Sequence, residues 1–174
     1  MAKQKFWTSE KLLSLSAIFI SLCTLTVLIY QANLNRQYQH LSVYPYLLVG
    51  HQGSGGPNYR FSIKNEGIGP AIISSIKIIS PEKEEFNDFI DYVVNQLSPA
   101  DTSMGFFHTN LNVGRMIPAN QAIELIGTTD GKSATSVKLR SLLAGKGFQY
   151  EIKYRSIYGD EWIVTNESPI PIEK

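Results

Sequence analysis

The sequence has one cysteine, Cys23, and it lies inside an apolar run. No intramolecular disulfide can form, and nothing downstream can supply a thiolate metal site. A cysteine-free domain is compatible with either side of a bacterial inner membrane. It speaks against a small eukaryotic secreted module, where bridges are common. The three histidines, His40, His51 and His108, are far apart and lack the HExxH spacing of a metal-binding helix. No Gly-x-Ser-x-Gly nucleophile elbow occurs. Glu84, Glu85, Asp88 and Asp91 look paired, but the pattern puts them on the solvated side of a helix, with no cleft to separate their pKa values.

A basic field is missing too. The chain carries 16 basic and 15 acidic side chains. Of these, Lys3, Lys5, Lys11, Arg36 and Glu10 fall in the first 40 residues, which leaves 12 basic against 14 acidic in the remainder. A surface of that balance cannot hold a nucleic acid backbone, so nucleic acid is excluded as an expected partner. A phosphate loop is absent as well. Gly127-Thr128-Thr129-Asp130-Gly131-Lys132-Ser133 ends in GKS, but only three residues separate its glycines, and Ile126 stands where G-x-x-x-x-G-K-[ST] requires the first one. Asp130-Gly131 reads better as a turn tip. The Asn166-Glu167-Ser168 sequon is followed by Pro169 and reads as chance.

What is present begins with an uncharged window from Leu12 to Asn35, closed by Lys11 and Arg36. Its apolar heart, Leu12 to Tyr30, approaches the roughly 20 residues that span a bilayer core as a helix. The run is longer than the apolar region of a cleaved secretory signal, and Tyr30 stands where a small residue would be needed for cleavage. Leu22 before Cys23 likewise does not fit a lipoprotein signal. The segment is apolar on every face, unlike a buried soluble helix with one polar side. The sequence therefore predicts a retained anchor over 12–32, with Leu12, Leu15, Phe19, Leu22, Leu25, Leu28 and Tyr30 facing lipid. The hydroxyls of Ser14, Ser16, Ser21, Thr24 and Thr26 can bond back to the helix or join two anchors into a homo-oligomer.

A short basic tail, 1–11, precedes the anchor, and a polar stalk, 33–41, follows it. Positive charge is concentrated on the N-terminal side, with Trp7 and Tyr30 near the two interfaces. This predicts a single-pass signal-anchor in a bacterial inner membrane, N-terminus cytoplasmic and domain extracytoplasmic.

From residue 42 to 174 the pattern is mainly β. Ser42 to Val49 reads as a strand bent by Pro45. Tyr59, Phe61 and Ile63 alternate with polar residues, and Ala71 to Ile79 is apolar and β-branched. Gln121 to Ile126 is another strand, and 136–143 is ambiguous between strand and helix. Phe148, Tyr150, Ile152 and Tyr154 alternate clearly, and Tyr158-Gly159-Asp160-Glu161 turns into Trp162-Ile163-Val164-Thr165. One amphipathic helix is predicted at about 81–97, with Ser80 as cap, Pro81 as first residue, and Phe86, Phe89, Ile90, Val93, Val94 and Leu97 on its apolar side.

The turn Asn65-Glu66-Gly67-Ile68-Gly69-Pro70 links two of these strands. Its chemistry suggests left-handed backbone at Gly67. The segment Lys64 to Ala71 resembles the strand endings of CARDB-type Ig-like sandwiches, and the later IKYRSIYGDEW is similar to their last hairpin. With the anchor, the chain resembles small single-pass bacterial membrane proteins of unassigned function. The resemblance implies an Ig-like β-sandwich with the helix inserted, and it carries over no catalytic residue.

One loop stands out. Met104, Phe106 and Phe107 flank Gly105 among turn formers, and adjacent rings cannot both face one side of a strand. They are the candidate partner contact. Together these features predict a non-catalytic, membrane-tethered protein-interaction or assembly module. Its partners are the lipid bilayer and another protein, and no cofactor or metal is expected. The alternative is a membrane-bound sensor or effector, for example in a bacterial stress or defence system, whose sandwich binds a ligand or partner.

Overall fold

A computed structural model describes residues 8–53, 56–98, 101, 103–168 and 170–174. Lys3, Lys5 and Trp7, on which the expected orientation partly rests, lie outside the described residues. The chain divides into two compact units, Met1–Leu41 and Ser42–Lys174.

The first unit is built on helix α1, Ser9–Ser42, with 34 residues and no buried side chain. At 1.5 Å per residue it is about 51 Å long, well beyond the roughly 30 Å of a hydrocarbon core. It is long and apolar enough to cross a membrane. The hydroxyls of Ser14, Ser16, Ser21, Thr24 and Thr26 all donate to carbonyls three or four residues back, at 2.8–2.9 Å. They are satisfied within their own helix. The polar stretch 33–41, expected as a stalk, continues the same helix.

The second unit holds two antiparallel sheets. The first has the order β1 (Leu47–Gln52), β2 (Arg60–Asn65), β7 (Ala122–Thr128), β5 (Phe106–His108). The second runs β10 (Ile172–Glu173), β9 (Glu161–Thr165), β8 (Gln149–Arg155), β3 (Ala71–Ile79), β4 (Glu85–Phe86), with β6 (Met116–Ile117) also on β3. Alternation explains the burial. Phe61 and Ile63 of β2, with Tyr59 just before it, are fully buried, as are Ile152 and Tyr154 of β8. In β3 the buried set shifts from Ala71 and Ile73 to Ile76 and Ile78, because a bulge between Ile73 and Ser75 inserts one residue and changes the parity. Inner faces of both sheets share one core: the Phe61 ring of β2 lies 6.3 Å from that of Tyr150 on β8, and Phe89 meets both.

Two helices complete this core. The helix expected at 81–97 is shorter: α2 spans Phe89–Gln96 and starts at Asp88, whose carboxylate accepts from the Ile90 amide at 3.3 Å. Ser80 does not cap a helix. Its backbone and hydroxyl close a tight turn on Glu84 and Lys83, with Lys83 at φ 68, so that Glu85 and Phe86 return along β3. Phe89, Tyr92 and Val93 are buried at helical spacing. The ambiguous stretch resolves as helix α3, Ser133–Leu143, whose Leu142 carbonyl accepts from the Tyr92 hydroxyl at 3.0 Å.

Candidate functional site

The segment Val43–Tyr46, directly after α1, lies against the turn 65–70 and is hydrogen-bonded to it through Tyr44 and Tyr46. The Tyr46 carbonyl accepts from the Glu66 amide at 2.7 Å, and the Tyr44 carbonyl from the amides of Ile68 and Gly69 at 3.0 and 3.2 Å. Asn65 sits at the centre, fully buried. Its Oδ1 accepts from the amides of Tyr46 and Gly67, and its Nδ2 donates to the carbonyls of Gly69 and Ile117. An amide offers two donors and a twice-accepting oxygen, so all four capacities of Asn65 are used.

The glycines of this turn act by close approach. The sequence suggested left-handed backbone at Gly67, but its φ lies outside that region. A Cβ there would meet Tyr44 O and Tyr46 N at 2.4 Å, and one on Gly69 would meet Val43 O at 1.8 Å. Glycine is needed because two backbones touch, an interaction between residues more than 20 apart that turn chemistry does not announce. Pro70 leads into β3 at Ala71. The clamp extends to rings: Tyr44 meets Trp162 edge-on at 5.1 Å, Trp162 stacks on Tyr154 at 5.7 Å, and the Tyr154 hydroxyl accepts from the Leu47 amide.

Phe106 and Phe107, expected in a loop, form the edge strand β5 against β7. Their rings take opposite sides. Phe106 and Met104 pack on the core. The Phe107 ring covers Gly127, whose missing side chain makes the space, and the Arg60 guanidinium stands 5.4 Å from the ring centroid. Arg60 also pairs with Glu124, giving an aromatic and charged patch on the outer face of the first sheet.

A shallow groove of about 350 Å³ opens where β1, the end of α3 and the start of β8 converge, lined among others by Val49, His51, Leu143 and Tyr150. Beneath it the Tyr59 hydroxyl lies 2.7 Å from His51 Nδ1. Burial, and then the nearby Arg140 charge, lower the His51 pKa, and burial raises that of Tyr59. At neutral pH the pair is therefore an uncharged imidazole and a protonated phenol sharing one hydrogen bond, whose donor is set by the imidazole tautomer. It ties β1 to the core, and sequence reasoning passed over it because Tyr59 reads as an ordinary strand residue and His51 belongs to no motif that would pair the two.

Asp130, in the middle of the GKS-like stretch, is structural. Its carboxylate accepts from the amides of Gly105 and Lys132 and from the Thr135 hydroxyl, joining the residues before β5 to the start of α3. The Thr135 bond is the main cause holding its pKa below the ordinary value. Asn166 of the sequon bridges the Phe148 carbonyl and Tyr150 amide, and Pro169 lies outside the described residues. Among the described residues no group of three or more His, Cys, Asp or Glu is placed to hold a metal ion. Comparison with protein-family models and with curated proteins returns no match.

Proposed function

We propose that this protein is a single-pass, membrane-tethered interaction module that works by binding another protein and performs no chemistry. The observation that carries the reading is α1: 34 residues, none buried, with an 18-residue window of mean hydropathy 2.4. Such a surface is costly in water and at home in lipid. The excess of Lys near its N-terminal end supports a cytoplasmic tail and an extracytoplasmic domain in a bacterial inner membrane. The two antiparallel sheets around one core support an Ig-like β-sandwich for 42–174, with α2 as an insertion. The patch of Phe107 and Arg60 supports a partner contact, since aromatic and Arg side chains dominate binding energy at interfaces.

The test is fractionation. Washing membranes with alkaline carbonate should leave the full chain in the pellet, and release into the supernatant overturns the tether. A reporter that folds only outside the cytoplasm, fused after Lys174, should be active. An inactive reporter on a stable fusion reverses the orientation.

A second reading, a membrane sensor or effector, draws support from the clamp on Val43–Tyr46. Four backbone and side-chain groups bind the residues that follow α1 to the β domain. Any pull reaching Tyr44 would pass through these bonds to Asn65 at the end of β2.

A further inference from the structure

We propose that α1 pairs with α1 of a second copy of this chain, parallel and in register, along a seam of Ile20, Cys23, Val27, Tyr30, Leu34 and Leu41. The inference rests on reading α1 as a membrane anchor. Copies inserted the same way run parallel, so each seam residue meets its own counterpart.

The part of α1 beyond the apolar run carries the argument, because there an apolar residue is informative. Over Asn33–Ser42 the apolar side chains are Leu34, Tyr38 and Leu41. At 100° per residue they fall within an arc of about 60°, while Arg36, the only Lys or Arg of that stretch, lies on the far side at about 200° from Leu34. Tyr38 and Leu41 are 60% and 63% exposed. About 15 Å of helix therefore leaves the hydrocarbon with a narrow apolar stripe that is exposed at Tyr38 and Leu41 and half-buried at Leu34. An isolated stretch of this length is a marginal helix by itself.

The stripe continues into the apolar run in register. Leu13, Ile20, Val27, Leu34 and Leu41 stand seven residues apart through the whole helix. A strict seven-residue repeat is the spacing that two left-handed supercoiling helices share. Between its turns lie Ser16 and Cys23, small enough for close backbone approach inside lipid. A lateral hollow of about 330 Å³ lies along the helix here, bounded by Phe19, Ile20, Cys23, Thr24, Val27 and Leu28. The hydroxyl donors expected to join two helices are bonded within their own helix, so packing along the seam is what remains to drive pairing.

Cys23, the only cysteine, reports on the seam directly. The full chain in its own membranes, oxidised with copper phenanthroline at low protein density, should give a disulfide-linked dimer. Leu25 lies on the opposite face, about 180° from Leu34. Leu25→Cys combined with Cys23→Ser should give about tenfold less dimer. Leu34→Asn with Leu41→Asn, both beyond the apolar run, should cut the Cys23 dimer several-fold while the protein stays resistant to carbonate. Equal yields from the two cysteine positions, or no Cys23 dimer from carbonate-resistant protein, overturn the seam and leave the anchor standing. Release by carbonate overturns the anchor and the seam with it.

Discussion

The Asn65 side chain donates to the Gly69 carbonyl at 2.8 Å, across the turn whose glycines touch the backbone that follows the long helix. The two residues work as a unit. Asn65 supplies the hydrogen bonds, and the glycines supply the space in which the bonded backbones lie. Removing the amide strands two buried donors and two carbonyls at once. Asn65→Ala should destabilise the 42–174 unit by about 4 kcal/mol or more, since four groups lose their partner and each unsatisfied buried group costs roughly 1–3 kcal/mol. Urea unfolding measures it, and an unchanged midpoint would show that water replaces the side chain.

Gly67 separates two explanations of the same glycine. If left-handed backbone were the reason, Asn would be tolerated better than Ala, because Asn visits that region readily. The structure gives steric contact with Tyr44 and Tyr46 as the reason. Gly67→Asn should therefore destabilise at least as much as Gly67→Ala, each by about 1–3 kcal/mol as overpacking does. Thermal melts of the two variants side by side decide it.

The legible and illegible parts of the fold differ in the range of the interactions that made them. The strands at β2, β8 and β9 were readable because their burial alternates with period two, as at Phe61 and Ile63 or Tyr150, Ile152 and Tyr154. The long apolar helix was readable by length and composition. The start of α2 was not, because Ser80-Pro81 has the chemistry of a helix cap. The competing pull is the pairing of Phe86 with Ile78, a tertiary contact that makes residues 80–86 a hairpin. Phe106 and Phe107 read as loop because their strand is three residues long and exists only against β7. The role of Gly67 was hidden for the same kind of reason: the atoms it avoids lie more than 20 residues away.

The division at Ser42 makes a fragment prediction. A chain beginning at Ser42 keeps the whole buried core and the clamp on Val43–Tyr46. It should be monodisperse without detergent, give a β-type circular dichroism spectrum and melt cooperatively. A broad, non-cooperative melt would show that the unit needs the helix to fold.

The two phenylalanines of β5 should respond differently. Phe106 packs on the core, so Phe106→Ala should cost stability, by less than the roughly 3–5 kcal/mol of a fully buried ring because it is only partly enclosed. Phe107 covers Gly127 on the other side beside Arg60. Phe107→Ser should cost less stability and, if the patch binds a partner, abolish its co-purification in mild detergent. Equal destabilisation by both changes would make the strand a purely structural edge.

His51 gives the domain a dependence on mild acid. Its folded pKa lies below the ordinary value of 6.5, chiefly because burial disfavours the charged ring and further because of Arg140. The unfolded chain therefore takes up a proton near pH 6.5 that the folded chain refuses. The stability from this group is fully present above that pH and declines as the pH falls below it, until the folded ring also protonates. The charged ring carries a proton on both nitrogens and can only donate across the 2.7 Å contact with the Tyr59 hydroxyl that ties β1 to the core. The melting temperature of the 42–174 fragment should thus fall between pH 7 and pH 5, a window set by the lowered His51 pKa. Asp101 and Asp130 are not responsible there, since their pKa values are pushed below the ordinary carboxylate value and their loss comes at lower pH. His51→Gln retains a neutral oxygen acceptor for Tyr59 and does not titrate, so it should flatten the slope in this window. An unchanged slope in that variant would assign the acid sensitivity elsewhere and remove His51 from the account.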